Sequence, residues 1–232
     1  MSERPNGHGP RVAVIDHGAG NLVSIRQGLA AVGAHPVLAR RPADLLGAAA
    51  VVLPGVGAAG PAMARLRRRD LLAPLVDWLA ADRPFLGICL GLQLLVDGSD
   101  EDGSAGLGVL PGRAVLLRGA PRLPHIGWNE VRLRRPHPAF ARLPSPVHQY
   151  FVHSYAVEPA PGSEQLVLAE TRHGRPFASA VARGRLLGVQ FHPERSARDG
   201  LALLAGFVGM AATRSEDAPA ATAPRPGVSA RC

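Results

Sequence analysis

The stretch 84-PFLGICLGLQLL-95 carries a short apolar run into an amphipathic segment through Gly87-Ile88-Cys89-Leu90-Gly91. A Gly-x-Cys-x-Gly turn between a strand and a helix has the form of the Gly-x-Ser-x-Gly turn that lifts a nucleophile clear of a sheet. Its glycines leave room for close backbone approach. At the start of a helix the thiol would meet a partial positive charge, which favours the thiolate, and N–H groups able to hold an oxyanion. A serine could occupy such a turn, but cysteine is the better nucleophile near neutral pH. The alternative is a small buried hydrophobe, a common state of unpaired cysteines. A general base converging on Cys89 separates the two readings.

The candidate base lies far along the chain, in 188-GVQFHPE-194. Pro193 stops the apolar run, and its rigid ring fixes the geometry between His192 and Glu194. Side chains two apart in extended backbone share a side. Glu194 can therefore orient the imidazole while the other ring nitrogen faces the thiol, a Cys–His–Glu arrangement defined by roles rather than chain order. Alone, His192 would read as a hydrogen-bonded structural histidine and Glu194 as a surface charge. Their conjunction with Cys89 carries the weight.

Working outward, the first half alternates strands and helices. Strands are predicted at 12–16, 37–39, 51–53 and 85–88. A helix follows the first, from the spacing of Leu22, Ile25, Leu29 and Val32 before Gly33; others are predicted at 61–68, 71–81 and 90–96. Such alternation implies βαβ units and a parallel sheet covered on both faces. In the second half, strands at 114–117, 128–133, 149–157, 166–170, 179–182 and 187–191 follow one another closely, and a last helix is predicted at 198–209. Short connections imply antiparallel or mixed pairing. The expected fold class is α/β: a central, mostly parallel mixed sheet flanked by helices, with additional antiparallel strands in the second half. Ligands of such sheets gather at the carboxyl ends of strands. Three conspicuous ends lie at 17–21, 54–57 and 87–91.

The 232 residues, 47% apolar, suffice for a sizeable core. A single domain is expected over 11–212, with disordered tails at 1–10 and at the Ala/Pro-rich 213–232. No apolar run is long enough for a membrane span, and the N-terminus lacks a secretory signal pattern. The two cysteines, Cys89 and Cys232, fit free thiols in a reducing compartment, so a cytoplasmic location is expected. The net charge of +8 comes entirely from arginine on the basic side. Clusters such as 65-RLRRR-69 could suit phosphates, but with 4% aromatics and no helix-turn-helix or zinc-ligand spacing, no nucleic-acid partner is expected.

The Gly-x-Cys-x-Gly turn with a late His-Pro-Glu resembles the class I, triad-type glutamine amidotransferases. Further stretches, 15-IDHGAGN-21, 53-LPGVGAAGPAM-63, 125-HIGWN-129 and 150-YFVHSY-155, are similar to the glutaminase subunits of imidazole glycerol phosphate synthases. The resemblance implies a glutaminase in histidine biosynthesis, with Cys89 as nucleophile, His192 as proton carrier and Glu194 as orienter. It implies that Gly55, Gly57 and Leu90 supply the oxyanion site and that Gln93 holds the amino-acid end of glutamine. No cofactor or metal is implied. The implied partner is a (β/α)8 cyclase subunit that receives the ammonia in a heterodimer, with Asn21, Trp128, Tyr150 and Arg195 near the contact. Three positions depart from the family pattern: His17 for the usual tyrosine, Ala59 for phenylalanine and Arg195 for lysine. The alternatives are an amidotransferase subunit of anthranilate, purine, pyrimidine or pyridoxal synthesis, a peptidase-like or glyoxalase-like relative, or a catalytically idle regulatory subunit.

Overall fold

The computed structural model describes residues 9–213. The two expected tails lie almost wholly outside that span. Five parallel strands form one half of the main sheet: β1 (Arg11–Ile15), β2 (His35–Ala39), β3 (Ala50–Leu53), β4 (Phe85–Ile88) and β12 (Leu186–Val189). β7 (His125–Leu133), β8 (Val147–His153), β10 (Val167–His173) and β11 (Arg175–Arg183) continue it in antiparallel pairing. The order across the nine strands is β2-β1-β3-β4-β12-β11-β10-β7-β8. A second, three-stranded sheet pairs β5 (Val96–Ser99), β6 (Leu110–Leu116) and β9 (Tyr155–Pro159).

Alternation along the parallel strands explains the layers. Val12 and Val14 face one way, packing with Ile25 and Leu29 of α1 (Leu22–Ala31) and Leu204 and Phe207 of α5 (Ala197–Ala212). Ala13 and Ile15 face the other, packing with Met63 and Leu66 of α2 (Ala59–Arg68) and Leu75 and Trp78 of α3 (Leu72–Ala80). The central strands are apolar on both faces because both are covered. Pro36 is tolerated because β2 is the edge strand. β4 lies between β3 and β12, with Gly87 opposite Leu53 and Gly188. The turns after β3, β4 and β12 therefore emerge side by side.

Two expected elements differ. The helix predicted over 90–96 ends after one turn as α4 (Leu90–Gln93), and Val96 opens β5 by pairing with Leu110 of β6. Long-range pairing overrides the local apolar period here. The strand predicted over 149–157 breaks at Ser154 into β8 and β9, which belong to different sheets.

Buried histidines sit in the antiparallel half. His125 stacks on Phe151 (4.8 Å between centroids) and His173 (4.0 Å). His153 Nδ1 donates to Tyr155 O at 2.9 Å, so its Nε2 accepts from His125 Nδ1 at 3.0 Å. Asn129 Nδ2 donates to His125 Nε2 at 3.2 Å. Burial, reinforced by neighbouring rings, pushes His125 down to about 4 and His153 to about 3. Burial and then Arg135 push His137 down to about 4, and its Nδ1 accepts from Ala139 N at 3.2 Å.

The turn has no slack. A Cβ on Gly91 would stand 1.7 Å from Leu53 O, whereas one on Gly209, in α5, meets nothing within 4 Å. Gly91→Ala should lose about 3 kcal/mol or more in urea unfolding, and Gly209→Ala should gain about 0.5–1 kcal/mol from helix propensity. The unfolded chain binds histidine protons near pH 6.5 while the folded chain refuses them down to about 3 or 4. Stability present above pH 6.5 is thus lost as pH falls through that window. His137→Asn keeps a capping acceptor and cannot titrate, so it should flatten the unfolding free energy against pH by about 1.4 kcal/mol per unit there.

Candidate active site

Cys89 occupies the junction of β4 and α4 with φ +53° and ψ −108°, a conformation costing a non-glycine residue about 1–3 kcal/mol. Its backbone N–H donates to Val189 O at 2.8 Å, fastening the turn to β12. A Cβ on Gly87 would stand 2.7 Å from Gly91 O, so each glycine makes way for backbone. With α4 only four residues long, the dipole expected to favour a thiolate is small. The electrostatic partner lies elsewhere.

That partner is His192, on the turn after β12. Its Nδ1 stands 2.8 Å from Glu194 Oε1, and both side chains are almost fully buried. Burial alone would lower the imidazole, but the Cys89 sulfur and the Glu194 carboxylate outweigh it and push His192 up to about 10. The sulfur thus neighbours the ring, although no hydrogen bond of standard geometry closes on His192 Nε2, which is buried. The turn is held from outside: His192 N donates to Tyr150 O at 2.9 Å, Tyr150 N to Ser196 Oγ at 2.9 Å, and Ser196 Oγ to His192 O at 2.7 Å.

A cleft of about 180 Å³ opens over the sulfur, lined by Gly57, Gln93, Glu101 and His153 among others. Three larger depressions hold no thiol: two, of about 720 and 630 Å³, surround residues 133–142, and a third, of about 310 Å³, lies over β9, β10 and β11. Size does not select the site; chemistry does. Gln93 Nε2 donates to Tyr155 O (2.9 Å) and to Gln190 Oε1 (3.1 Å), so Gln93 would meet a solute through its oxygen. Gln190 is fully buried and points Nε2 at Cys89 Sγ, 3.5 Å away. The sequence singled out neither Gln190 nor Glu101. Gln190 stands inside a quoted motif, while Glu101 sits in an acidic loop with nothing to distinguish it from Asp100 or Asp102.

The 54–57 loop passes beside the turn. Gly57 has φ +86° and lines the cleft, and a Cβ on Gly55 would crowd Leu90 Cβ at 3.0 Å. Leu90 opens α4, where Leu92 N and Gln93 N both donate to Cys89 O, at 3.0 and 3.1 Å, while the N–H groups of Leu90 and Gly91 precede the first helical bond. The four expected contact residues divide. Trp128 is 53% exposed, in edge-to-face contact with Tyr150, whose ring lies under the Arg195 guanidinium at 4.5 Å. Exposed Ile126 shares their face of β7. A lysine at 195 would supply charge without the planar stack. Asn21 instead caps α1, its Oδ1 accepting from Ser24 N at 3.1 Å. Among the described residues no group of three or more candidate ligands could hold a metal ion, and no helix is long and apolar enough to cross a membrane.

The model of the family "glutamine amidotransferase class-I" matches residues 13–208. The imidazole glycerol phosphate synthase subunit HisH of Synechococcus elongatus is 50% identical over 203 residues, covering 86% of this chain and 93% of its own. The same subunit from Symbiobacterium thermophilum is 50% identical over 198 residues, covering 85% and 92%. The crystal structure of a glutamine amidotransferase superposes with a TM-score of 0.69 at 20% identity, over 87% of this chain and 99% of that one. That of a glutamine amidotransferase from Thermotoga maritima gives 0.65 at 16% identity, over 89% and 100%. At such identities the structures speak for the fold alone, and the sequence relatives carry the rest. By its sequence, its sheet order and the turn at Cys89, this chain belongs to the class I glutamine amidotransferase family, alongside the HisH subunits of imidazole glycerol phosphate synthase.

Proposed function

We propose that this chain is the glutaminase subunit of an imidazole glycerol phosphate synthase, with Cys89 as its nucleophile. The observation that supports this most is that Cys89 opens onto a small cleft while its turn is bonded to the end of β12, the strand that leads into the His192–Glu194 pair. The Cys89 sulfur attacks the carboxamide carbon of glutamine, forming a C–S bond and an oxyanion. The N–H groups of the 54–57 loop and of Leu90 hold that oxygen. His192, held by Glu194, gives its proton to the nitrogen as the C–N bond breaks and ammonia leaves. Water then adds to the thioester, His192 takes up its proton, and glutamate departs. Glutamine and water have become glutamate and ammonia, with the thiol restored. Gln93 Oε1 and the Glu101 carboxylate accept from the α-ammonium of the substrate.

The ammonia passes to a partner (β/α)8-barrel cyclase, where it attacks a ribulosyl imidazole-carboxamide nucleotide. The products are imidazole glycerol phosphate and an aminoimidazole-carboxamide ribotide. The exposed Trp128, the Tyr150–Arg195 stack and Asn21 are the proposed contacts of a cytoplasmic heterodimer.

Cys89→Ala in the assembled pair should reduce glutamine-dependent turnover by about a thousandfold or more while turnover on free ammonia persists. Loss of both activities together would refute the division of labour. Glu101→Gln should raise KM for glutamine about tenfold or more with a smaller change in kcat, because charge-assisted contacts hold the ground state and the transition state alike. An unchanged KM in a glutamate-release assay would remove Glu101 from the substrate site.

A further inference from the structure

The 54–57 loop rests on a ring that the chemistry above does not use. His17 is fully buried, and its Nε2 lies 2.8 Å from Pro54 O. A carbonyl only accepts, so Nε2 carries the proton and donates. Nδ1 is then a bare acceptor, buried and without a partner among the described residues. An aliphatic side chain would fill the space without stranding a polar atom. What the ring contributes is the bond made by its other nitrogen. Burial, and behind it Arg65 and Arg69, lowers His17 and keeps the ring neutral, as a single donor must be.

A trans peptide points its C=O and N–H in opposite directions. Fixing the Pro54 oxygen on the His17 side turns the Gly55 N–H away from it and sets the path through Val56 to Gly57. A Cβ on Gly55 would stand 3.1 Å from His17 Nε2 and 3.0 Å from Leu90 Cβ. The ring and the residue that follows Cys89 thus press on the same face of Gly55, where only a glycine leaves them room. We propose that His17 is a positioning residue for the oxyanion site: its Nε2–H, bonded to the Pro54 carbonyl, fixes the peptide orientation in which the loop's N–H groups face Cys89. This rests on the glutaminase reading of Cys89.

The test compares two reactions of one sulfur in the full chain assembled with its cyclase. Glutamine turnover builds an oxyanion; alkylation by iodoacetamide displaces iodide at a saturated carbon and builds none. His17→Leu should lower kcat for glutamate release about 10- to 100-fold, with KM within about twofold and the alkylation rate unchanged. His17→Gln, which keeps an N–H donor, should recover most of the loss. Should His17→Leu not fold, His17→Met, of similar reach and also without a donor, takes its place. Wild-type kcat in the variant lacking the donor, a parallel fall in alkylation, or no recovery with glutamine would each overturn the proposal. No glutamate release by the wild type would overturn the glutaminase reading itself, and this inference with it.

Discussion

The backbone of the residue two beyond Cys89 lies against the last carbonyl of β3 with no room for one methyl group. That contact fixes where α4 starts, and the start of α4 fixes where the thiol points. Two glycines permit it, one on each side of the cysteine: Gly87 yields space to the backbone of Gly91 and Leu92, and Gly91 yields it to Leu53. The cysteine bears the conformational cost at φ +53°. The surrounding sheet holds it there, with β3 on one side and β12 on the other, and the same two strands deliver the 54–57 loop and the His192 turn. A single packing constraint thus brings together the Cys89 thiol, the 54–57 loop and the His192 turn, which arrive from three distant parts of the chain.

The histidines divide by what they face. His125 and His153 meet carbonyl, amide and ring partners, and burial keeps them neutral. His192 meets a carboxylate and a sulfur, and the same burial fails to neutralise it. Its charge is among the influences that hold His153 down. The charge on His192 is thus balanced by Glu194, while His153, the ring that lines the cleft, stays neutral. Gln190 completes the asymmetry by offering the sulfur an amide donor from within the core.

Local pattern made part of this legible. The alternation of apolar runs with glycine turns marked the strand ends, and the Gly-x-Cys-x-Gly spacing marked the nucleophile candidate, because both are set by neighbours in sequence. What depended on distant pairing was hidden. Leu94, Leu95 and Val96 continue a helical apolar period, and only β6 decides that Val96 begins a strand. Ser154 interrupts an apolar run without a glycine or proline to announce the change of sheet. Trp128 could be core or surface on its period alone. His17 was visible as a departure, but its bond to Pro54 spans 37 positions.

The turn bearing His192 and Glu194 has a second position in the fold. β8 is the last strand of the large sheet, and its outer backbone groups would be open to another chain's strand. At Tyr150 both outward groups are taken, the carbonyl by His192 and the N–H by Ser196. The segment that carries His192 and Glu194 therefore also blunts a sticky border. Substitutions that loosen 192–196 threaten solubility along with the placement of the imidazole, so a variant there that precipitates has bared a strand border as well as shifted a side chain.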